Sequence, residues 1–391
     1  MNPEKIKEDF PIFRERPEIS YLDNAATSQK PDAVIEAIEN FYRKNNSNVG
    51  RGLYDLANDA TQAYERSREK VAEFIGAGTE EIIFIRNTTE AQNLVSETLE
   101  FEGDIVLSEM AHHSEQLPWR EKAKKEERSI TYLSTVEGKI SLEDAEKKID
   151  STTGLIAVSH ISNVFGAVNP VEEIIEIAHE NEAKVILDCA QSVPHLNLDV
   201  KNLDADFITF SGHKMLGPTG IGVLYSKKEH LESMRPYQVG GGMVKSVEKE
   251  SVRYKDPPHR FEAGTPNITG AVGLKAAIKY LEDLSMEKVE RHSREIAQKI
   301  TEGLKDIEEI EVISPEESIM VSFYSERVHS HDLAEVLNQG DVAVRAGNHC
   351  AQPQHIDLDL AGTIRASPYI YNTEEDVNKL LDSVREAQNI F

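Results

Sequence analysis

The sequence predicts an α/β fold: a large domain on a mostly parallel sheet, followed by a smaller α+β domain. Two observations carry that expectation. Over residues 81–225 the short β-branched runs EIIFI, DIVLS, SITYLS, LIAVSHI, KVILD, DFITFS and GIGVLY recur, several separated by amphipathic helical stretches such as VEEIIEIAHENEA. After FEAGTPN, residues 261–267, the pattern changes to a long helical stretch reaching about Leu304, then strand-like EVIS, SIMVSFY and VAVRAG, then a closing helix from about Thr373.

The boundary is expected near Gly264, with residues 21–264 forming the large domain and residues 265–391, joined by residues 1–20, the small one. Residues 32–43 and 53–75 read as helices ahead of the sheet, the second ending at Gly76. A chain of 391 residues is long enough for two domains with a sizeable core.

The charge balance narrows the function. Asp and Glu number 69 against 43 Lys and Arg, a net charge of -26, which repels phosphate backbones and anionic lipid surfaces. Nucleic acid and membranes are not expected partners, and a saline host would also select so acidic a surface. No apolar leader or membrane-length segment is read from the sequence, so a cytoplasmic protein is expected. The two cysteines, Cys189 and Cys350, lie far apart and are read as separate thiols.

In open α/β sheets ligands bind at the carboxyl ends of the strands, so residues just after each run matter most. Lys214 follows FITFS in a turn with Ser211, Gly212, Gly217, Pro218, Thr219 and Gly220. An isolated lysine is ordinarily a solvated surface group, but small neighbours let a ligand approach, and a lysine in such a crevice forms Schiff bases. Asp188 ends KVILD; it is either the cap of the following AQSV turn or a partner for a pyridine nitrogen. Lysine and aspartate together are a protein's two main contributions to pyridoxal phosphate (PLP) chemistry.

Thr88 and Thr89 in RNTTEAQN either cap a helix or supply hydroxyls to an anion at its N-terminus. The pair His112 and His113 lacks further ligands at metal-binding spacing, so no metal is expected; a flat imidazole covering an aromatic cofactor suits the position better. Cys189, in apolar LDCAQ, reads as a buried inert thiol. Cys350, in polar RAGNHCAQPQH beside His349 and downstream of Arg345, is either another inert thiol or an accessible one whose surroundings lower its pKa and make it reactive.

From about Phe10 onward the chain resembles the PLP-dependent cysteine desulfurases of the class V aminotransferase superfamily, in their group II (SufS-like) branch. The likeness rests on YLDNAATSQKP, RNTTEAQN, MAHHSEQLPW, SHISNVFG, LDCAQSVPH, FSGHKMLGPTGIGVLY, FEAGTPN, VRAGNHCAQP and IRASPYIYNT. It implies a homodimer of PLP-dependent fold-type I subunits, with Lys214 as the Schiff-base lysine, Asp188 at the pyridinium nitrogen, Gln191 at the ring oxygen and His112 stacked on the ring. It further implies Thr88, Thr89, Ser211 and His213 around the phosphate, with Thr265 reaching it from the other subunit.

Asn163 and Arg365 would bind the substrate carboxylate, Arg345 would line the loop of Cys350, and Cys350 would carry sulfur from L-cysteine as a persulfide. The sulfur would pass to an acceptor protein or iron–sulfur scaffold. One departure stands in SNVGRGLYDLA, where the family commonly has His before Arg-Gly and this chain has Gly50 before Arg51. Related readings of the same residues are a selenocysteine lyase, a cysteine sulfinate desulfinase, a sulfur-relay scaffold without turnover, and a zinc module using His112, His113 and Cys350.

Overall fold

The computed structural model describes residues 1–50 and 52–391. A seven-stranded sheet forms the centre, from β1 (Ile82–Ile85), β2 (Asp104–Ser108), β3 (Ile130–Leu133), β4 (Thr153–Ser159), β5 (Lys184–Asp188), β6 (Phe207–Ser211) and β7 (Gly222–Ser226). Their spatial order is β1-β7-β6-β5-β4-β2-β3, and β7 alone runs antiparallel to its neighbours. The alternation along each strand explains the two-sided burial. Ile82, Phe84, Val106, Val185 and Leu187 enter the core on one face, while Ile83, Ile85, Ile105, Leu107 and Ile186 enter the core on the other.

Helix α1 (Asp55–Ile75) ends at Gly76, whose φ of 74° is the left-handed turn expected of a glycine C-cap. Helices α2 (Thr88–Thr98) and α3 (His113–Glu126) follow β1 and β2. They are tied together where the fully buried Trp119 donates from Nε1 to Gln92 Oε1 at 2.9 Å.

The expected long helical stretch is two helices, α4 (Ile268–Leu284) and α5 (Met286–Lys305), separated by Ser285 at φ 73°. The small lobe carries a sheet of β8 (Ile310–Val312), β9 (Val321–Ser325), β10 (Arg345–Gly347) and β11 (Thr363–Ala366) in the order β8-β9-β11-β10, all antiparallel. The closing helix α6 is Glu374–Ile390, begun by a Thr373–Asp376 capping box.

The domain boundary differs from expectation. Leu274, Ala277, Ile278 and Leu281 of α4 bury in the core of the large lobe, and so do Ile6, Phe10 and Phe13. The N-terminal residues are drawn there by aromatic packing: Phe10 lies 4.8 Å from Tyr371 and 6.0 Å from Tyr280 between ring centroids. The small-lobe core begins at Ile296, and among the described residues only Leu22 joins it from the start of the chain. Apolar periodicity announces a buried face without saying which core receives it.

A buried ion pair holds the crossover segment to α1. Arg68 and Glu262, with side chains 2% and 7% exposed, make two hydrogen bonds of 2.8 Å, and Glu262 also accepts from Phe84 N and Tyr64 Oη. Burial pushes the Glu262 carboxyl up, yet the Arg68 charge and these donors outweigh it and hold it below its usual range. Its stabilising contribution is therefore present at neutral pH and lost as pH falls through the acid range. Glu262→Ala leaves the buried Arg68 guanidinium with the part-exposed Glu65 carboxylate and the Ile82 carbonyl alone and should cost about 3 kcal/mol in a denaturant titration; an unchanged midpoint would contradict this account.

Candidate active site

The carboxyl ends of β2, β4, β5 and β6 converge on a cavity of about 520 Å³ whose far wall comes from the small lobe. Lys214 closes a single 3₁₀ turn, Gly212–Lys214, directly after β6. Gly212 is required there by close approach, since a Cβ would meet Ile221 Cγ2 at 2.9 Å and Ile221 O at 3.0 Å. Burial lowers the Lys214 amine to about 8, against the opposing pull of Asp188.

Asp188 ends β5, 6% exposed. Its Oδ1 accepts from Ala190 N at 2.9 Å, so the turn-capping role is realised with one oxygen. Burial raises its pKa and the Lys214 charge lowers it. Gln191 follows, with Nε2 donating to the Ala25 carbonyl at 2.9 Å.

At the start of α2 the helix cap is Asn87, which accepts from Glu90 N at 3.0 Å. Thr88 is free for another partner: its N–H and hydroxyl both meet Ser211 Oγ at 3.0 Å. Thr89 and His213 line the same cavity. The helix N-terminus thus presents hydroxyls and amides beside Lys214, a setting suited to an anion.

His112 caps α3, its Nδ1 accepting from Ser114 N at 3.1 Å, which assigns the ring proton of the neutral form to Nε2. Burial, then the charge of Lys214, lowers the His112 imidazole to about 3.

The small lobe adds cationic groups and the thiol. Arg365 on β11 donates from Nη1 to the Asn163 carbonyl at 2.7 Å; burial lowers it to about 10. Asn163 Oδ1 and Arg365 Nε are buried without partners. Arg345 on β10 grips Asp23 through two hydrogen bonds, Nη2 to Oδ2 at 2.7 Å and Nε to Oδ1 at 3.1 Å, and Arg365 Nη2 lies 3.8 Å from the same carboxylate.

Cys350 is exposed and follows His349, both at positive φ, 57° and 49°. Two bonds anchor the turn: the Cys350 carbonyl accepts from His113 N at 2.7 Å, and the His349 carbonyl accepts from Asn163 Nδ2 at 2.7 Å. Cys189 is buried behind Asp188, 3.9 Å from His160 Nδ1. Among the described residues no cluster of three or more His, Cys, Asp or Glu is placed to hold a metal ion.

One cavity therefore gathers Thr88, Thr89, His112, Asn163, Asp188, Gln191, Ser211, His213, Lys214, Arg345, Cys350 and Arg365. Thr265 is not among them. It is exposed and lines a second cavity of about 800 Å³ together with Gly50, which has φ 102° and open space around its Cα; Arg51 lies outside the described residues. Sequence reasoning passed over Asp23 and Ser159. Asp23 stood in the quoted YLDN run, and Ser159 ends a strand, so strand-end position was the available signal for it.

If His112 titrates as this geometry requires, nitrogen-15 NMR should show a neutral ring protonated at Nε2 from about pH 5 upward. Titration near the ordinary imidazole value would overturn the assignment.

The chain matches the family model "Aminotransferase class-V" over residues 20–380. A "Probable cysteine desulfurase" of Halalkalibacterium halodurans is 48% identical, covering 100% of this chain and 99% of the relative. A "Cysteine desulfurase" of Haloferax volcanii is 43% identical over 99% of this chain and 97% of its own length. Among solved structures, the apo cysteine desulfurase of Thermococcus onnurineus NA1 superposes with a TM-score of 0.96 at 40% identity, covering 100% of this chain and 99% of that one. The S-sulfonic acid form of the cysteine desulfurase CsdA of Escherichia coli gives 0.94 at 35% identity with the same coverage. The chain belongs to the class V aminotransferase family, in its cysteine desulfurase group.

Proposed function

We propose that this chain converts L-cysteine to L-alanine and takes the sulfur onto Cys350 as a persulfide, with pyridoxal 5'-phosphate as cofactor, as a group II (SufS-like) enzyme. One observation carries the reading: an amine lowered to about 8 beside a buried aspartate shares a cavity with an exposed thiol from the other lobe.

The residues present fit the cofactor. A volume of about 520 Å³ suits a small aromatic ligand and its substrate. Thr88, Thr89, Ser211 and His213 are the groups for a phosphate, Asp188 for a ring nitrogen, Gln191 for a ring oxygen, and neutral His112 for the ring face. The unpartnered Arg365 Nε is a donor that a substrate carboxylate would satisfy, and Asn163 supplies the adjoining amide. When bound, the cofactor supplies an electron sink that makes the substrate Cα–H acidic and its C–S bond labile.

The chain's own groups then divide the work. The low pKa of Lys214 leaves a useful fraction as free amine at neutral pH, able to form the covalent attachment and to carry a proton at Nζ. Arg365, and Arg345 aimed by Asp23, orient the substrate. Cys350 Sγ, as thiolate, attacks the substrate sulfur: an S–S bond forms, the C–S bond breaks, and the electron pair left on the organic fragment takes a proton to give alanine.

The sulfur leaves for an acceptor protein or an iron–sulfur assembly scaffold. The working form is a homodimer, supported by Leu53 at 98% exposure and Tyr54 at 58% near the second cavity, where Thr265 would serve the phosphate of the other subunit. Two unpaired thiols suit a reducing cytoplasm, and among the described residues no helix is long and apolar enough to cross a membrane.

Cys350→Ser should keep the visible absorbance of the cofactor-loaded protein while sulfide release from cysteine falls on the order of 10³-fold or more. Undiminished sulfide release would remove Cys350 from the reaction.

A further inference from the structure

Glu115, in the first turn of α3, has no exposed surface and no role in the chemistry described so far. Its Oε2 accepts from Ser159 Oγ at 2.6 Å, and its Oε1 has no partner. Ser159 and Asp188 are register partners at the ends of the parallel strands β4 and β5, so their side chains leave the same face of the sheet. The Glu115 carboxyl therefore lies one serine away from the carboxyl of Asp188.

We propose that Glu115 is a positioning residue acting through Asp188: the two buried carboxyls together carry one negative charge, resident on Asp188, with Glu115 held as the neutral acid. This rests on the reading of Asp188 as the group facing the cofactor ring.

The physical grounds are electrostatic. A buried carboxylate needs a cation or several donors, and Glu115 has one hydroxyl. The groups facing it are Ser159 from β4 and Asp188 and Cys189 at the end of β5; Cys189 is neutral, and His160 beside it is lowered to about 4 by burial. Burial, then the Asp188 charge, pushes the Glu115 carboxyl well above its usual range, whereas Asp188 has the Lys214 charge and the Ala190 N–H to favour ionisation. Two like acids so placed do not both ionise. If Asp188 is made uncharged, the repulsion disappears while burial, the larger cause, remains, so Glu115 still holds its proton at neutral pH but gives it up at a lower pH than in the wild type.

Two measurements test this. Infrared difference spectra of the cofactor-free protein at neutral pH, wild type against Glu115→Gln, should show the carbonyl stretch of a protonated carboxylic acid in the wild type alone. In an Asp188→Asn background that band should be lost at a lower pH than in the wild type as the solution is made alkaline. Absence of the band in the wild type, or its loss at the same pH in wild type and Asp188→Asn, overturns the proposal.

In cofactor-loaded protein, Asp188→Asn should gain a long-wavelength visible band as pH rises that Asp188→Asn with Glu115→Gln does not gain, with turnover at the upper pH about tenfold higher in the single variant. Identical spectra and turnover in the single and double variants overturn the proposal. If the wild type takes up no PLP, the functional reading fails, while the infrared comparison still decides the charge on Glu115.

Discussion

The arrangement depends on one electrostatic apposition: the Lys214 amine, just beyond the carboxyl end of β6, against the carboxylate of Asp188, the last residue of the neighbouring parallel β5. Neither group would be tolerated there alone. Burial lowers the amine and raises the acid, and each opposes the shift of the other. The sheet makes this possible because β5 and β6 are adjacent and parallel, so both chains turn at the same edge. The surrounding groups are tuned to the same end: His112 and His213 are held neutral by burial and by the Lys214 charge, so neither adds a second cation beside the amine.

The second constraint is the seam between lobes. Cys350 belongs to the small lobe, yet its turn is fastened to the large one through His113 N and Asn163 Nδ2. The turn is also fixed from behind. His355 Nδ1 donates to the Ala351 carbonyl at 3.1 Å, leaving its Nε2 to accept from the Thr363 hydroxyl, and Thr363 Oγ1 in turn accepts from His349 Nε2. Two successive residues in the left-handed region cost backbone energy, and these bonds hold them. A thiol that must reach substrate and then hand sulfur onward is thus presented on a short, anchored turn.

Much of this was legible in the sequence. The β-branched runs announced the sheet, and residues immediately after them supplied most of the cavity lining. The misses have physical causes. Thr363–Ala366 is a four-residue strand containing an arginine, too short to show alternation, although it lies between two partners in the small sheet. Glu115 reads as one more acid among 69 on a helix, since burial depends on what the helix packs against. Asp23 acts across more than 300 residues on Arg345, a pairing that local pattern cannot reveal. Thr265 faces away from the cavity of its own chain, and only a second copy would give it the expected role.

The most direct test of the central claim exploits a rival amine. Lys30 is also lowered to about 8 by burial, and its Nζ donates to the His213 carbonyl at 2.9 Å, one residue from Lys214. The measurement is borohydride reduction of the PLP-loaded protein followed by peptide mapping. The account predicts the stable adduct on Lys214, with Lys30 unmodified. An adduct on Lys30, or none, would contradict it.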